Sequence, residues 1–574
     1  VADYPLDPGK AVPFTGRYKG VAGAWGGHDD WLRKETQPVS VLKTDADVCG
    51  SQGTDRELRR FGMIEIQLQK EDFEQDIRAL LMAFYPNTPI RAVIGNDMPK
   101  IGMPPAKNQT QQEPFHENEL HRLFKIDIQT DSVSIRIYDG EPACGVYKNK
   151  ACYTILPRSM LYDHLFVLPA DAGENAAPEE QRACRVTRKN ELKKGLYEAA
   201  ASDTGRQLAW GTLTGIRPTK IPTAMLEKGC THDEIAAHLR SEYWVSDAKS
   251  SLAVEIAERE RALLSSLDYK NCSFTSYPLS RWSRKVDQYV HCVIKELEYI
   301  SEVNRDKTLN TIYFGGGTPT TLLPEQMDML CDAIERLFVL DQVREWTVEA
   351  GRPDSITREK LLGLKRHPVT RISINPQTMK EETLRLIGRQ HSVRQIHEAF
   401  EMSRECGFTN INMDMILGLP GETSSDVAHT VEEICRLSPE SLTVHTLARK
   451  RAARMNTDRA AFSGYSQGNT EDMLEIADQG ARSIGLRPYY LYRQKNMAGN
   501  LENVGYAREG CFSLYNILIM EELQSIFAAG AGGATKLVFA QNRIERVENV
   551  KAVDQYMTRI HEMIDRKRTA LSMT

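Results

Sequence analysis

A strict alternation of predicted strands and helices fills the second half of the chain. From about residue 270 onward, short runs of β-branched and aromatic residues alternate with runs of helical periodicity. We predict strands at 311–314, 345–349, 371–375, 410–416, 441–447 and 489–492, and helices at 325–337, 358–365, 425–437 and 471–484. Repeated units of this length form parallel strands joined by right-handed crossovers. The pattern therefore predicts an α/β fold, namely a TIM-like barrel or an open arc of one.

A glycine-rich turn ends one of these strands. Ile312, Tyr313 and Phe314 form an apolar strand, and Gly315, Gly316, Gly317 and Thr318 follow it directly, before Pro319. Glycine at such a turn provides positive φ, and a bare backbone also lets a ligand approach closely. Taken alone, the turn fits a purely structural role as well as a ligand-binding one.

Polar residues recur where the other strands end. Glu349, Gln377, Asp414 and His445 occupy these positions. The carboxyl ends of barrel strands meet on one face, which is where such folds carry function. Two carboxylates and an amide beside a glycine turn suit a ligand with an ammonium group and ribose hydroxyls. Each residue alone also suits a helix cap or a solvent-exposed position, and only the set favours a site.

Composition excludes several classes of protein. The 574 residues include 41% hydrophobic and 26% charged side chains and carry a net charge of −5. This balance argues against a nucleic-acid binder, and no apolar run is long enough to span a bilayer. We therefore expect a cytoplasmic protein. We also expect a monomer. The eleven cysteines are scattered, so they predict neither a disulfide framework nor a zinc site.

The chain divides into five predicted segments. Residues 1–62 lack persistent periodicity, and we expect them to be an extension outside the folded unit. Regular patterning begins at Met63, which would also serve as a natural start. An N-terminal α/β domain is predicted at 63–212 and a helical connector at 213–268. The barrel is assigned to 269–492, and a C-terminal extension to 493–574.

Several ordered motifs resemble one known family. The runs at 315–320, 348–353, 371–377, 388–391 and 414–421 read GGGTPT, VEAGRP, RISINPQ, GRQH and DMILGLPG. In order and spacing they resemble the oxygen-independent coproporphyrinogen III oxidases of the radical SAM superfamily. Longer runs at 212–222, 441–454 and 489–506 resemble the HemZ branch of that family, which is related to HemN.

The resemblance implies a partial (β/α)6 barrel that holds S-adenosylmethionine beside a [4Fe-4S] cluster. It implies an oxidative decarboxylation of two propionates of coproporphyrinogen III to vinyl groups by a SAM-derived radical. It also implies an electron donor that reduces the cluster. No further catalytic side chain is assigned. The positions that match SAM contacts of the family are Gly316, Gly317, Thr318, Glu349, Gln377, Arg389, Asp414, Ala448 and Ala534.

Basic residues after the fifth and sixth strands could receive the carboxylates of such a substrate. A solvated basic rim is an equally good interpretation of them. The residues are Arg449, Lys450, Arg451, Arg454, Arg493 and Lys495.

The cluster-binding motif of the family is missing. The family holds its cluster by Cys-x-x-x-Cys-x-x-Cys, and only Cys272, at the position of the third cysteine, remains. One thiolate cannot replace three cluster ligands. We expect the first barrel strand and the cluster loop to be absent, which would open the barrel or expose an edge. An internal deletion and a degenerate family member both explain this. In either case we expect the chain as written to be inactive in radical chemistry.

Two other functions remain open. A tetrapyrrole-binding or haem-carrier protein could use the same barrel without a cluster. A radical SAM enzyme acting on RNA is a weaker alternative, because the acidic balance and the lack of an aromatic-basic stripe oppose it.

Overall fold

The structure is a computed structural model, and it describes residues 61–86, 88–95, 100–101, 119–147, 150–172, 176–267, 270–276, 285–316, 318–447, 470–494, 501–540 and 543–572. Nearly all of the predicted extension at 1–62 lies outside the described residues. The first strand begins at Phe61, two residues before the predicted start at Met63.

Seventeen strands and fifteen helices are used below. The strands are β1 Phe61–Leu68, β2 Ile90–Ile94, β3 Lys100–Ile101, β4 Leu120–Ile128, β5 Ser132–Tyr147, β6 Lys150–Val167, β7 Asn271–Ser276, β8 Thr308–Phe314, β9 Glu345–Gly351, β10 Arg371–Gln377, β11 Ile411–Leu417, β12 Ser441–Thr446, β13 Arg487–Tyr492, β14 Asn503–Ala507, β15 Ser525–Ala529, β16 Ala534–Val538 and β17 Ile544–Glu548. The helices are α1 Glu74–Phe84, α2 Pro178–Thr204, α3 Lys220–Glu227, α4 His232–Tyr243, α5 Asp247–Leu264, α6 Val286–Val303, α7 Pro324–Leu337, α8 Arg358–Arg366, α9 Glu381–Leu386, α10 Val393–Glu405, α11 Ser424–Leu437, α12 Thr470–Ser483, α13 Leu514–Glu521, α14 Val553–Thr558 and α15 Ile560–Ser572.

The N-terminal strands form a sheet of their own. Its path is β2-β1-β4-β5-β3, and β6 pairs with β5. Strand β1 is parallel to both β2 and β4, whereas β5 is antiparallel to β4 and to β6. Buried side chains of β1 such as Ile64 and Ile66 share a core with Leu80 of α1 and Leu196 of α2. Helices therefore cover one face of this sheet.

The second sheet is the partial TIM-like barrel that the strand-helix alternation predicts. Its order is β13-β14-β12-β11-β10-β9-β8-β7-β15-β16-β17. Strands β7 to β12 lie side by side and are parallel. The α/β fold class is thus confirmed, and the carboxyl ends of β8 to β12 come together at one edge.

The expectation that the barrel lacks its first strand is wrong for the described chain. Residues 271–276 form β7, which pairs in parallel with β8 on one side and with β15 on the other. The physical reason is the alternation of this segment. Cys272 and Phe274 join the apolar core, whereas Ser273 accepts a hydrogen bond from Thr311 on the opposite face. The position beside β8 is therefore filled and is not an exposed edge.

Strands from the predicted C-terminal extension belong to the same sheet. Strand β14 lies between β12 and β13 and is antiparallel to both. The predicted sixth strand, β13, therefore does not pair with the fifth. At the other end, β15 continues the parallel set, and β16 and β17 follow it as antiparallel strands. The predicted boundary at 492 does not coincide with an edge of this sheet.

The two faces of the barrel sheet differ in chemistry. Ile312, Trp346, Val348 and Ile372 point to the apolar core shared with the surrounding helices. The other face, which we call the inner face, carries mostly polar side chains, namely Ser273, Thr311, Tyr313, Glu345, Thr347, Glu349, Arg371, Ser373, Asn412, Asp414 and Thr443. Hydrogen bonds between neighbouring strands join several of them, including Asn412 to Ser373 at 2.8 Å.

Helix α13 contacts the inner face near the starts of the strands. The buried carboxylate of Glu345 accepts hydrogen bonds from Ser513 Oγ at 2.9 Å and from the backbone N–H of Leu514 at 2.5 Å and Tyr515 at 3.3 Å. A carboxylate at a helix N-terminus satisfies free N–H groups and complements the helix dipole. Glu345 thereby holds α13 against the inner face, near the starts of the strands.

Within the described ranges, no helix is both long and apolar enough to cross a bilayer.

Candidate functional site

The first glycine of the turn after β8 has no space for a side chain. A Cβ built on Gly315 would lie 2.6 Å from Cε1 of Tyr313 and 3.2 Å from Cδ of Glu349. Gly316 has a φ of 81°, in the left-handed region that favours glycine. Thr318 follows as a buried residue. The turn thus brings bare backbone against the end of β9.

Glu349 is held between this turn and a tyrosine. The hydroxyl of Tyr313 donates a 2.6 Å hydrogen bond to Oε1 of Glu349. The backbone of Gly316 donates to the same carboxylate. The ring of Tyr313 stacks on Tyr515 of α13, with ring centroids 4.2 Å apart and planes 13° from parallel. These contacts fix the carboxylate in one orientation.

The surroundings of Glu349 favour its neutral form in the absence of a cation. The pKa of Glu349 is raised to about 7, chiefly by burial and also by the nearby charge of Asp414, against the lowering effect of the hydrogen bonds from Tyr313 and Gly316 and of the charge of Arg371. A ligand ammonium group would supply the positive charge that this carboxylate lacks. The site is therefore suited to an amine.

Asp414 provides a second carboxylate on the neighbouring part of the inner face. Its Oδ1 accepts a 2.6 Å hydrogen bond from Nδ2 of Asn412, two residues earlier in β11. Its Oδ2 lies 4.0 Å from Nε2 of His445 at the end of β12. Asp414 and His445, both predicted from the strand ends, are thus neighbours.

Gln377 is strained and incompletely hydrogen-bonded. It is the last residue of β10, it has a φ of 71°, and the pairing with β11 shifts register between Ile374 and Gln377. Its side chain is buried, and its Oε1 has no hydrogen-bond partner among the described residues. A buried polar atom without a partner is costly, and such strain is concentrated at ligand sites. Gln377 is therefore suited to receive a donor from a ligand.

Arg389 approaches the same group from the loop after α9. Burial lowers the pKa of Arg389, the charge of Arg352 adds to this effect, and the charges of Asp354 and Asp414 oppose it. The structure thus brings Gly316, Glu349, Arg389 and Asp414 to one region. Thr318 and Gln377 adjoin it at the ends of β8 and β10.

The remaining predicted positions fall elsewhere or outside the described residues. Ala534 is the exposed first residue of β16, after the turn that leaves the carboxyl end of β15. Arg493 is buried, donates to the backbone carbonyl of Leu213 at 2.8 Å and lies over the ring of Trp210. It is a structural contact of the connector rather than part of a basic rim. The positions outside the described residues are Gly317, Ala448, Arg449, Lys450, Arg451, Arg454 and Lys495.

Cys272 does not lie at this site. It pairs in register with Leu309, near the start of β8, whereas the glycine turn follows the far end of that strand at Phe314. Five residues of strand separate the two levels by about 17 Å. Burial raises the pKa of Cys272 to about 11, which is the opposite of what a thiolate ligand needs. Among the described residues, no group of three or more His, Cys, Asp or Glu side chains could hold a metal ion. The donor set of the described residues therefore does not fit a [4Fe-4S] cluster.

Sequence interpretation missed the roles of Tyr313 and Arg371. The sequence alone indicates only an apolar strand residue at Tyr313, although its side chain shares the inner face with Glu349. Arg371 is fully buried on the same face and donates to Ser441 Oγ at 3.2 Å. The signal was available in the period-two alternation of β8, β9 and β10, which places these residues on the face that carries Glu349.

Comparisons with known proteins agree with this architecture. Residues 270–434 match the family model described as the Radical SAM superfamily. The chain is 39% identical over 402 residues to "Oxygen-independent coproporphyrinogen-III oxidase-like protein HemZ" of Bacillus subtilis, a match that covers 66% of this chain and 80% of that protein.

Other relatives match over shorter lengths. Identity to "Heme chaperone HemW" of Bacillus subtilis is 36% over 266 residues, covering 46% of this chain and 66% of that protein. Identity to the oxygen-independent coproporphyrinogen III oxidase of Escherichia coli is 29% over 170 residues, covering 30% and 37%. The solved structure of coproporphyrinogen III oxidase (HemN) from Escherichia coli aligns with a TM-score of 0.41 at 19% identity, covering 53% of this chain and 73% of that one.

Proposed function

Because the chain belongs to the HemN/HemZ-like family of radical SAM proteins, we propose that the group at its strand ends binds S-adenosylmethionine and that it serves a tetrapyrrole substrate. The observation that carries the proposal is the carboxylate of Glu349, held against a glycine turn and raised to a pKa of about 7 by burial. Such a carboxylate gains most from a partner that brings a positive charge.

Each polar residue of the site has a distinct part in this proposal. Glu349 and the backbone of the glycine turn bind the amino group of the ligand. Asp414 accepts the ribose hydroxyls, and the free Oε1 of Gln377 accepts a further donor. Arg389 faces the ligand carboxylate, because a guanidinium forks onto such a group. Gly317, Ala448 and Ala534 belong to the proposed set only through their positions in the sequence motifs.

The parent reaction of this family is the oxidative decarboxylation of coproporphyrinogen III, in which an external donor would reduce the cluster and a separate acceptor would take the electrons released by the substrate. When bound, the cluster and SAM would supply the radical chemistry of that reaction. With Cys272 the only cysteine left at a motif position, and buried at the other end of β7, we propose that this chain binds SAM without performing that chemistry.

The test of SAM binding uses ligands that differ in one feature. S-adenosylhomocysteine carries the amino acid group, whereas 5′-methylthioadenosine lacks it. We expect Glu349→Gln to weaken the binding of S-adenosylhomocysteine by about tenfold or more, since a hydrogen bond to a charged group contributes about 1.5–3 kcal/mol. The binding of 5′-methylthioadenosine should hardly change. Equal weakening of both ligands, or none, would contradict the assignment of Glu349 to the amino group.

A second candidate function is tetrapyrrole binding without oxidation. The similarity to proteins named heme chaperone HemW, together with the missing cluster ligands, favours it as the alternative. Titration with coproporphyrin and haem, followed by fluorescence quenching and absorbance, tests it. Saturable binding beyond that of an unrelated protein supports the carrier, and its absence removes this candidate.

A further inference from the structure

The carboxylate of Glu349, which we propose binds the amino group of the ligand, has a hydrogen-bond partner that no family motif assigns. Tyr313 lies on the inner face one strand away, and its hydroxyl donates to Oε1 of Glu349 at 2.6 Å. Both side chains are partly buried, so the hydrogen bond is shielded from water and forms to a single carboxylate oxygen. The backbone of Gly316 is the other donor to this carboxylate.

Tyr313 is itself held in place from the far side. Its ring stacks on Tyr515 at 4.2 Å, and the first turn of α13, which carries Tyr515, is capped by the carboxylate of Glu345. Burial and the nearby carboxylate of Glu349 raise the pKa of Tyr313 well above its ordinary value, so the hydroxyl remains a donor at neutral pH. The tyrosine cannot turn away without losing this stacking.

We propose that Tyr313 is a positioning residue that orients the Glu349 carboxylate and keeps it ionised for the ammonium group of the ligand. The inference rests on the proposed SAM binding. A hydrogen bond donated to a carboxylate favours its charged form. The other groups that face Glu349 are Arg371 on β10, which acts in the same direction, and Asp414 on β11, which opposes it. Tyr313 therefore shifts the pH range over which an ammonium ligand binds.

The experiment compares Tyr313→Phe with the wild-type chain. Each protein is titrated with S-adenosylhomocysteine and with 5′-methylthioadenosine over a range of about three pH units, from roughly pH 5.5 to roughly pH 8.5. Phenylalanine retains the stacking on Tyr515 and removes only the hydroxyl. We expect about a tenfold loss of S-adenosylhomocysteine affinity at neutral pH, a midpoint of binding about one pH unit higher, and unchanged affinity for 5′-methylthioadenosine.

A matched control is available on the opposite face of the sheet. Tyr556 donates its hydroxyl to Glu296 at 2.6 Å in the same manner, but this pair belongs to the core around α6. Tyr556→Phe should leave both affinities and the pH midpoint unchanged. Thermal midpoints of both variants show whether either has lost its fold.

The outcomes separate this inference from the proposal that it rests on. If the wild-type chain binds S-adenosylhomocysteine and Tyr313→Phe leaves the pH midpoint unchanged, the positioning role is refuted while SAM binding stands. Equal loss of both ligands would likewise refute it, because that result indicates a general disturbance of the site. If the wild-type chain binds neither ligand, SAM binding fails and the role of Tyr313 fails with it.

Discussion

At the scale of single residues, the site depends on a glycine whose surroundings are already occupied. Gly315 faces the ring of Tyr313, which cannot retreat because Tyr515 and Glu349 hold it. A methyl group there must displace the tyrosine or the backbone of the turn. The same crowding brings the turn within hydrogen-bond reach of Glu349.

We therefore expect Gly315→Ala to lower the free energy of unfolding by about 1–3 kcal/mol and to abolish high-affinity binding of S-adenosylhomocysteine. Gly363 in α8 is the matched control, because a Cβ there would meet Asp328 and Arg366 at 3.4 Å and 3.5 Å, which are ordinary contacts. Gly363→Ala should raise stability by about 0.5–1 kcal/mol, as expected for a helical position. Thermal and chemical denaturation measure both, and a harmless Gly315→Ala would refute the crowding argument.

The pKa of Glu349 also predicts a dependence of stability on pH. Its carboxyl titrates near 7 in the folded chain and near the ordinary 4.5 when unfolded. The folded chain therefore binds more protons in this interval, so the contribution of Glu349 to stability is greatest below pH 4.5 and falls as the pH rises to about 7. Glu349→Gln, which does not titrate, removes this fall.

The expected result is a thermal midpoint difference between Glu349→Gln and wild type that grows from pH 5 to about pH 7 and is constant above it. A difference that is flat over the whole range would show that the carboxyl has its ordinary pKa in the folded chain.

At the scale of secondary structure, most of the barrel could be predicted from the sequence. The predicted strands at 345–349, 371–375 and 410–416 agree with β9, β10 and β11 to within two residues. Their strong alternation and the helices between them determine parallel pairing. The candidate site residues Glu349 and Asp414 follow from the ends of those strands.

Two elements of the barrel sheet could not be predicted in the same way. Strand β14 has glycine and alanine among its five residues and gives little strand signal, so its insertion between β12 and β13 depends on tertiary pairing. Strand β7 is hard to predict for another reason. The absent cluster motif suggested an absent strand, although Cys272 to Thr275 alternate well enough to pair with β8.

The cap of α13 supports a prediction at this scale. Glu345 accepts three hydrogen bonds from the first turn of α13, and Thr347 donates to it as well at 2.7 Å. Glu345→Ala should cost about 3 kcal/mol of stability and should also weaken S-adenosylhomocysteine binding, because Tyr515 loses its fixed position.

Hydrogen exchange of the amides of 514–521 checks the local effect directly. Exchange that is no faster in Glu345→Ala than in the wild type would show that the cap does not hold the helix.

At the scale of the whole molecule, one buried carboxylate joins the helical connector to the barrel sheet. Glu502, immediately before β14, accepts a 2.6 Å hydrogen bond from Nε1 of Trp210 and forms a 2.6 Å ion pair with Lys249 of α5. Its side chain is fully buried, and Arg493 lies over the same tryptophan ring. Removing one member of such a buried ion pair leaves the other charge buried without a partner of opposite sign.

We expect Glu502→Ala to destabilise the chain by about 3–5 kcal/mol in thermal or chemical denaturation. Glu255, which lies in α5 itself, is the control, because its ion pairs with Arg482 and Arg259 are partly exposed. Glu255→Ala should cost about 1 kcal/mol or less. Similar costs for the two variants would show that the connector is not held by Glu502.

The described residues thus combine a group of candidate ligand-binding side chains at the strand ends with a donor set that does not fit a cluster. The most direct test of this combination is a titration of S-adenosylhomocysteine into the full chain after reconstitution with iron and sulfide and removal of unbound metal. We predict saturable one-site binding by a chain that retains no iron and shows no iron–sulfur absorbance. Binding only in samples that retain a cluster, or no binding at all, would contradict it.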